Sequence, residues 1–347
     1  MTPGEKIMKK VRILIILLLL IFALSLSSCN MTKAPYTDEM YALDTIIQFT
    51  VYEDENNAKA AVDKAKEEIT RLENLLSVSK ESDISKTNNS NGDKVKIEDE
   101  TSKIIKKSIE ISKSTDGAFD VSIYPLVKLW GFDTKKFKVP TDTEIEKTKK
   151  LVNYKEIDLD DDNIKINPDM QIDLGGIAKG YIADRAKEVL IENNIDSAII
   201  NAGGNVVTIG SKEKNKDFKI GIQTPFDDKS YFATISISDL SAVTSGPYQR
   251  YFEENGKVYH HILNPKTGYP ADNDISSVTI ISSDSTLADG YSTAFFVMGI
   301  DKIIEFYNDN KLFDFVILDK DMKNVYITSS ISDKVEFEKD LNINIIK

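Results

Sequence analysis

Residues 250–261 read RYFEENGKVYHH, two short runs of aromatic and β-branched residues on either side of Asn255-Gly256. Asn-Gly is the dipeptide that a type I′ turn favours, because both central residues of that turn have positive φ. The stretch therefore predicts a β-hairpin, and residues 206–261 as a whole are strand-rich. Hairpins build antiparallel sheets, which distinguishes this chain from a doubly wound parallel α/β protein.

Helical patterns flank this strand-rich region. Residues 56–76 place apolar side chains at spacings of three and four, which predicts an amphipathic helix. The same pattern predicts helices at 101–114, 141–152, 175–193, 286–298 and 301–308. Strands are predicted at 41–52, 198–200, 275–281, 315–318 and 325–327, a hairpin at 164–167 and 170–174, and a loop at 77–93. The mixture predicts an α+β fold with mixed, largely antiparallel sheets flanked by helices.

Composition excludes several classes of protein. The 347 residues include 44 Lys and Arg against 56 Asp and Glu, a formal net charge of −12 that would repel a nucleic-acid backbone. One cysteine cannot form an internal disulfide, and two histidines cannot build a His-rich zinc site. Any metal ion should therefore be a hard cation with oxygen ligands.

The N-terminus has the pattern of an export signal. Lys9, Lys10 and Arg12 precede an apolar run at 13–24, which is shorter than the roughly 20 residues that a spanning helix needs. The run ends in Leu-Ser-Ser-Cys29, which resembles a bacterial lipoprotein box, and Cys29 is the only cysteine. An ordinary signal peptide with a cysteine nearby by chance is the alternative, and Met8 is an alternative initiator.

This pattern predicts the domain organisation and the location. Residues 1–28 would be a lipoprotein signal peptide, 29–37 a lipid-anchored tether, and 38–347 the functional domain, with two subdomains as an option. Acyl chains on Cys29 would hold the protein to the cell membrane on its extracytoplasmic side, because each buried CH₂ contributes about 0.8 kcal/mol.

Residues 172–181, IDLGGIAKGY, combine a carboxylate, two adjacent glycines and the start of a predicted helix. Glycines let the backbone approach a ligand closely, and a helix N-terminus suits a phosphate group. The stretch is neither a P-loop nor G-x-G-x-x-G. It favours a phosphate-binding turn, with a tight structural turn as the alternative.

Two further segments carry glycines or histidines. Residues 201–205, NAGGN, follow a predicted strand, and a plain turn is the alternative to a ligand contact. Residues 260–270, HHILNPKTGYP, contain both histidines of the chain. Neighbouring residues of a strand point to opposite faces, so only one of His260 and His261 can face a shared site. Two structural histidines are the alternative.

Residues 287–296, LADGYSTAFF, place three oxygen-bearing side chains on one helix face. Asp289, Ser292 and Thr293 are separated by three and four residues. Such oxygens, together with backbone carbonyls and substrate phosphates, are the ligands that Mg²⁺ prefers. A buried Asp–Thr hydrogen bond within the helix is the alternative.

Taken in order, these motifs resemble the FAD:protein FMN transferase family, the ApbE-type flavin-transferring lipoproteins. The matching stretches are DTIIQFTVY, GAFDVSIYPLVKLWGF, IDLGGIAKGYIAD, NAGGNV, TSGPYQRYFEENGKVYHHILNPKTGYP and LADGYSTAFFVMG, which span residues 44–299. The resemblance implies an ApbE-like, T-fold-related domain. It also implies an enzyme that uses Mg²⁺ and moves FMN from FAD to a Thr or Ser hydroxyl of an acceptor flavoprotein through a phosphoester bond, releasing AMP.

The resemblance also implies a role for individual residues. The residues that would contact FAD are Leu43, Ala118, Phe119, Asp120, Asp173, Lys179, Ile262 and Leu263. The residues that would hold Mg²⁺ are Gly176, through its carbonyl, with Asp289, Ser292 and Thr293. His261 would match the histidine that deprotonates the acceptor hydroxyl, and an imidazole with an ordinary pKa near 6.5 suits that role.

Three positions differ from the usual family pattern. Leu43 replaces Met or Gly, Pro247 replaces Asp, and residues 77–80 lack an aromatic that often stacks near the flavin or adenine. Two other functions stay open at this level, a Mg²⁺-dependent FAD diphosphatase that makes FMN and AMP, and a flavin-binding lipoprotein without activity. The expected acceptor is an exported or membrane electron-transfer subunit.

Overall fold

The computed structural model describes residues 34–213, 216–338 and 340–347. The predicted signal peptide and the lipidation site at Cys29 lie outside these residues. The first strand begins at Tyr36, two residues before the predicted start of the domain. None of the described helices is both long enough and apolar enough to cross a bilayer.

The described strands and helices are mixed along the chain, and eight strands follow one another between the helices that begin at Ala178 and Ser285. The strands are β1 (Tyr36–Ala42), β2 (Thr45–Val51), β3 (Val95–Lys96), β4 (Asp158–Leu159), β5 (Asn163–Lys165), β6 (Ala198–Ala202), β7 (Asn205–Ile209), β8 (Phe218–Thr224), β9 (Asp227–Ile237), β10 (Ser241–Ser245), β11 (Tyr251–Glu254), β12 (Lys257–His260), β13 (Ile275–Ser282), β14 (Asp314–Asp319), β15 (Asn324–Thr328), β16 (Val335–Phe337) and β17 (Asn342–Ile346). The α-helices are α1 (Glu55–Leu76), α2 (Asp83–Asn88), α3 (Asp99–Ser114), α4 (Tyr124–Trp130), α5 (Asp142–Thr148), α6 (Ala178–Glu192), α7 (Ser285–Met298) and α8 (Ile300–Asp309).

The main sheet among the described residues has nine strands in the order β1-β2-β6-β7-β10-β13-β14-β15-β17. Every neighbouring pair is antiparallel except β15 and β17. Two three-stranded sheets, β16-β9-β8 and β3-β5-β4, and the hairpin β11-β12 complete the β structure. The predicted α+β class with largely antiparallel sheets is confirmed.

The central strands β13 and β14 are buried on both sides because both faces of the main sheet are covered. Phe315 and Ile317 of β14 join the core cluster that contains the apolar faces of α1, α6 and α7. Val316 and Leu318 point the other way and pack with the small sheet β16-β9-β8. Every residue of β13 is buried for the same reason.

Several predicted elements differ in detail. The predicted strand at 41–52 is a hairpin, because Leu43 and Asp44 have φ values of 55° and 58° and turn the chain between β1 and β2. The predicted hairpin of 164–167 with 170–174 is wrong, since β5 pairs with β3 and β4 instead. The predicted loop at 77–93 contains α2.

The hairpin predicted around Asn255-Gly256 is confirmed. Its two turn residues have φ values of 53° and 72°, and β11 pairs with β12 in the expected register. Phe252 and Tyr259 of this hairpin pack with Trp130, Phe132 and Tyr269 in an aromatic cluster. The indole N–H of Trp130 donates to the Gly268 carbonyl at 2.9 Å and joins the cluster to the turn after the histidines.

Candidate active site

The turn before α6 is shaped by Asp173. Its carboxylate accepts the N–H of Gly175 at 2.9 Å, and its own N–H donates to the Val121 carbonyl at 2.8 Å. Burial raises the pKa of Asp173, while the Gly175 N–H and the positive charge of Arg250 lower it. The predicted turn is therefore present, with a partly desolvated carboxylate beside the start of a helix.

Lys179 lies in the first turn of α6. Its ammonium group forms no hydrogen bond or ion pair with any of the described residues, although the chain is rich in carboxylates. Its charge is near enough to His261 to lower the pKa of that imidazole. A free ammonium group at a helix N-terminus suits a phosphate group of a substrate.

Helices α6 and α7 meet through a backbone contact at Gly180. The Gly180 N–H donates to Oδ2 of Asp289 at 2.8 Å. A Cβ at position 180 would lie 2.2 Å from the Ser285 carbonyl oxygen and 2.7 Å from Cβ of Asp289, so no larger residue fits without movement. This contact fixes the buried Asp289 carboxylate relative to the turn at 175–176.

A second contact between the helices lies one turn further along α6. The carboxylate of Asp184 accepts the N–H groups of Ser285 and Thr286 at 3.0 and 2.8 Å and the Thr286 hydroxyl at 2.6 Å. These donors belong to the first turn of α7, where helix N–H groups lack partners within the helix. Asp184 therefore caps α7 from outside and fixes its position along α6.

The predicted metal ligands Gly176, Asp289 and Thr293 are close together. A Cβ at Gly176 would lie 3.5 Å from Oγ1 of Thr293 and 3.0 Å from Cε2 of Phe119. Among the described residues, the Thr293 hydroxyl and Oδ1 of Asp289 have no hydrogen-bond partner. The alternative of a buried Asp–Thr hydrogen bond is therefore absent, and both oxygens are available to a ligand.

Ser292 is fully buried and differs from the other predicted ligands. Its hydroxyl donates to the Asp289 carbonyl at 2.9 Å and lies 2.8 Å from the Ser245 hydroxyl. Its proton is thus committed within the protein, and one lone pair accepts from Ser245. The described residues contain no group of three His, Cys, Asp or Glu side chains that could hold a metal. A single carboxylate with hydroxyl and carbonyl oxygens fits Mg²⁺, whose remaining ligands are water and phosphate.

His261 is oriented by the carbonyl of Arg250. The backbone N–H of His261 donates to this oxygen at 3.0 Å, and Nδ1 of the ring lies 3.1 Å from it. A carbonyl oxygen can only accept, so Nδ1 carries the proton. In the neutral ring, Nε2 then has a free lone pair and can accept a proton.

The surroundings of His261 keep the ring neutral. Burial lowers its pKa to about 3, and the charges of Arg250 and Lys179 act in the same direction. The ring of Phe132 meets it edge-on with a centroid separation of 6.5 Å. The proton-accepting form of His261 is therefore the form present at neutral pH.

His260 points to the opposite side of the hairpin, as strand alternation predicts. Its Nε2 lies 2.9 Å from the Ala271 carbonyl, and its ring packs edge-on against Phe296 with a centroid separation of 5.6 Å. It is buried, and burial lowers its pKa. His260 is thus a core residue, and His261 is the histidine that faces the site.

The segment 118–120 has a buried carboxylate that the protein itself satisfies. Oδ1 of Asp120 accepts the N–H and hydroxyl of Ser122 at 2.9 and 2.6 Å, and Oδ2 accepts the Tyr154 N–H at 3.1 Å. Burial nevertheless raises the pKa of Asp120. Asp120 thus shapes the loop, while the buried Ala118 and Phe119 bring it towards Gly176.

The other predicted FAD contacts lie at the margins of the site. Leu43 is half-buried at the β1–β2 turn, where its N–H donates to Glu73 at 2.9 Å. The neighbouring Asp44 approaches Arg250 at 4.0 Å, so this turn lies beside the hairpin of His261. Ile262 and Leu263 are buried, the first in the main core and the second in the aromatic cluster.

Comparison with known proteins identifies the family. The profile of the ApbE family matches residues 43–317. The chain belongs to the ApbE family. The resemblance inferred from the motifs is thereby confirmed, and all of these motifs, at residues 44–299, lie within the matched range.

Similar proteins cover most of this ApbE-family chain. A protein of Haemophilus influenzae named FAD:protein FMN transferase is 31% identical over 326 residues, 89% of this chain and 93% of the relative. One of the same name from Klebsiella pneumoniae is 39% identical over 240 residues, 67% of this chain and 74% of the relative. The crystal structure of the ApbE protein from Thermotoga maritima matches with a TM-score of 0.81 and 33% identity, covering 86% of this chain and 99% of that one.

The sequence motifs did not indicate the roles of three residues of this ApbE-family site. Arg250 could have been found from the hairpin register, because a turn at 255–256 places residue 250 opposite residue 261. Gly180 and Asp184 gave no local signal of their role, since both act on a helix about 100 residues away.

Proposed function

We propose that this ApbE-family enzyme transfers FMN from FAD to a Thr or Ser hydroxyl of an acceptor flavoprotein and releases AMP. The observation that carries the proposal is the pairing of His261 with the Arg250 carbonyl, which leaves Nε2 free as a base. The family membership and the names of the relatives support the same reaction.

The reaction needs a base and a held diphosphate. The acceptor oxygen forms a bond to the phosphorus of the FMN half of FAD, while the bond from that phosphorus to the bridging oxygen breaks. The acceptor proton passes to Nε2 of His261, and AMP leaves with the bridging oxygen. The neutral imidazole is the form that accepts this proton, and it is the form present over the physiological range.

The residues at the start of α6 bind and orient the diphosphate in this proposal. Lys179 supplies a free ammonium group, and Gly175 and Gly176 allow close approach of the backbone. Phe119, Ile262 and Leu263, all of which are buried, would form the apolar wall behind the flavin. Positioning of this kind, with charge stabilisation, accounts for most catalysis of phosphoryl transfer.

Asp289, Thr293 and the Gly176 carbonyl are the proposed holders of Mg²⁺, with Ser292 as a supporting residue. Bound Mg²⁺ would neutralise charge that develops on the diphosphate oxygens. Asp289 is held in place for this task by the Gly180 N–H, and Thr293 by its position over Gly176.

The N-terminal motif supports a proposal for the location and the partner. We propose that Cys29 carries the lipid and that the enzyme acts on the extracytoplasmic side of the cell membrane. The acceptor would then be an exported or membrane electron-transfer subunit. Globomycin treatment of cells that express the chain tests this placement, since it should leave an unprocessed precursor that retains residues 1–28.

One experiment separates the possible activities. Candidate acceptor domains are incubated with the protein, FAD and Mg²⁺, and their intact mass is measured together with AMP and free FMN. A mass gain of one FMN, matched by AMP, is expected. AMP with free FMN and no modified acceptor across the candidates would favour a diphosphatase, and no AMP would favour a binding protein. His261→Asn serves as the control, because its amide can still donate to the Arg250 carbonyl but cannot act as a base.

A further inference from the structure

A loop of unusual composition follows α4. Its residues 133–138, DTKKFK, contain three lysines and a phenylalanine, and all six are exposed. The loop folds back on α4, because the Lys138 N–H donates to the Trp130 carbonyl at 3.3 Å. A Cβ at Gly131 would lie 2.0 Å from the Lys136 carbonyl oxygen, so the turn depends on glycine, whose φ is 77°.

The charges of this loop are only partly used within the protein. Lys138 pairs with Glu144 at 2.9 Å. Among the described residues, Lys135 and Lys136 have no hydrogen bond or ion pair through their ammonium groups, in a chain with a net charge of −12. The two adjacent ammonium groups give this loop a local positive charge at the margin of the site, which an acidic segment of a partner can pair with although the chain as a whole is acidic.

Phe137 connects the loop to the hairpin of His261. Its ring is 39% exposed and stacks on Phe252, with a centroid separation of 5.0 Å and an angle of 7°. It also lies 5.5 Å from Phe132, whose ring is 6.5 Å from that of His261. The rings of Phe137 and His261 are therefore no more than about 12 Å apart, a distance that about four extended residues span.

The loop also lies near the proposed FAD contacts. The negative charge of Asp133 is close enough to raise the pKa of Asp173. A polypeptide that brings a hydroxyl to His261 can therefore reach this loop. Exposed aromatic side chains are common anchors of protein interfaces, and charged side chains at the rim steer the approach of the partner.

We propose that Lys135, Lys136 and Phe137 form a docking surface for an acidic, extended segment of the acceptor protein. This segment lies within about four residues of the hydroxyl that receives FMN. The inference rests on the proposed function, because its occupant is the protein substrate of that reaction. It adds a recognition site for the acceptor that is separate from the groups that bind FAD.

The test compares K135E/K136E with the wild-type full-length protein in detergent. The substrate is unmodified acceptor domain, of a kind to which the wild-type protein is able to transfer FMN. We expect KM for the acceptor to rise at least about tenfold, since charges at an interface rim control encounter. The dissociation constant for FAD, measured by flavin fluorescence, should not change. K135R/K136R keeps both positive charges and should have the KM of the wild-type protein. Added NaCl should raise KM for the acceptor far more in the wild-type protein than in K135E/K136E.

A matched control and three outcomes define the result. K229E/K334E reverses two other exposed lysines, on the small sheet and next to it, and should leave KM for the acceptor unchanged. A wild-type KM in K135E/K136E would overturn the proposal. Weakened FAD binding would assign the loop to the FAD site instead. If K135E/K136E transfers FMN less well than the wild-type protein only in phosphatidylglycerol vesicles, and not in phosphatidylcholine vesicles or detergent, the loop would be assigned to contact with the membrane surface.

The proposed function can fail separately. If no acceptor domain gains the mass of FMN with the wild-type protein, the transferase assignment falls, and the docking surface falls with it. If the wild-type protein transfers FMN and the loop variants do so equally well, only the docking surface is refuted. Phe137→Ala is a weaker probe than the lysine variants, because it also removes the stack on Phe252.

Discussion

The carbonyl oxygen of Arg250 accepts two hydrogen bonds from His261, one from its backbone N–H at 3.0 Å and one from Nδ1 at 3.1 Å. The first belongs to the pairing of the hairpin, and the second determines the tautomer of the ring. The tight Asn255-Gly256 turn thus sets the orientation of a base that lies several residues away. Because the acceptor is a backbone atom, substitution of the Arg250 side chain leaves it in place.

Replacing His261 should separate catalysis from binding. We expect His261→Asn and His261→Ala to lower the rate of FMN transfer about a hundredfold or more, the usual loss for a general base. FAD binding should be nearly unchanged, because Lys179 and the turn at 175–176 are untouched. Single-turnover transfer and FAD fluorescence titration measure the two effects. Parallel losses of transfer and binding would instead make His261 a binding residue.

The low pKa of His261 predicts an unusual pH dependence. An ordinary histidine base becomes protonated below about pH 6.5. Here burial lowers the pKa to about 3, so the neutral form persists well below pH 6.5. We expect kcat/KM for transfer to show no decline with an apparent pKa near 6.5 between pH 8 and 5. A decline with that pKa, absent from the residual activity of His261→Asn, would contradict this expectation.

Asp289 should control the response to metal. Its carboxylate lies one helical turn before Thr293 and has an oxygen that no described residue occupies, so Asp289→Ala should abolish AMP formation and the activation by Mg²⁺. Isothermal titration of the FAD-bound protein with MgCl₂ gives a readout that does not depend on turnover. Ser292→Ala is the informative comparison, because its hydroxyl proton is already donated within α7 and its loss should weaken Mg²⁺ less. Undiminished AMP formation by Asp289→Ala would refute the metal site.

The sequence predicts the local features of this site better than its long-range ones. Spacing within ten residues predicts the glycine turn of α6 and the oxygen-bearing face of α7. It also predicts that His260 and His261 point to opposite faces of the hairpin. Leu43 gave no turn signal, since a leucine at φ 55° is tolerated only because Glu73 and the core hold it. The contacts of Gly180 and Asp184 with α7 depend on tertiary packing, which no local pattern encodes.

The close contact at Gly180 should tolerate no side chain. Gly180→Ala would place Cβ 2.2 Å from a backbone oxygen of α7, so the two helices must separate. Overpacking of this kind costs about 1–3 kcal/mol, and the shift should also weaken Mg²⁺ binding through Asp289. Gly290→Ala is the matched control on α7, because its Cβ would meet the flexible end of Ile111 and alanine favours a helix. Urea unfolding of both variants should show the larger loss at Gly180.

Asp184 should make stability depend on pH in a direction opposite to that of most carboxylates. Burial raises its pKa from 3.8 to about 6, although three hydrogen bonds from Ser285 and Thr286 favour the charged form. Between these two values the folded protein binds more protons at this site than the unfolded chain does. The contribution of Asp184 to the free energy of unfolding must therefore decrease as pH rises from about 4 to 6.

Asp184→Asn removes this titration while keeping an oxygen that can accept from α7. Relative to the wild-type protein, the variant should gain about 1 kcal/mol of stability between pH 5.0 and pH 7.5. Titrating groups other than Asp184 affect both proteins equally and cancel in the difference between their free energies of unfolding. The loss of the second carboxylate oxygen changes this difference by the same amount at both pH values. Urea unfolding at the two pH values measures it. An equal stability difference at pH 5.0 and 7.5 would show that Asp184 is ionised throughout, held in its charged form by the N–H groups of α7.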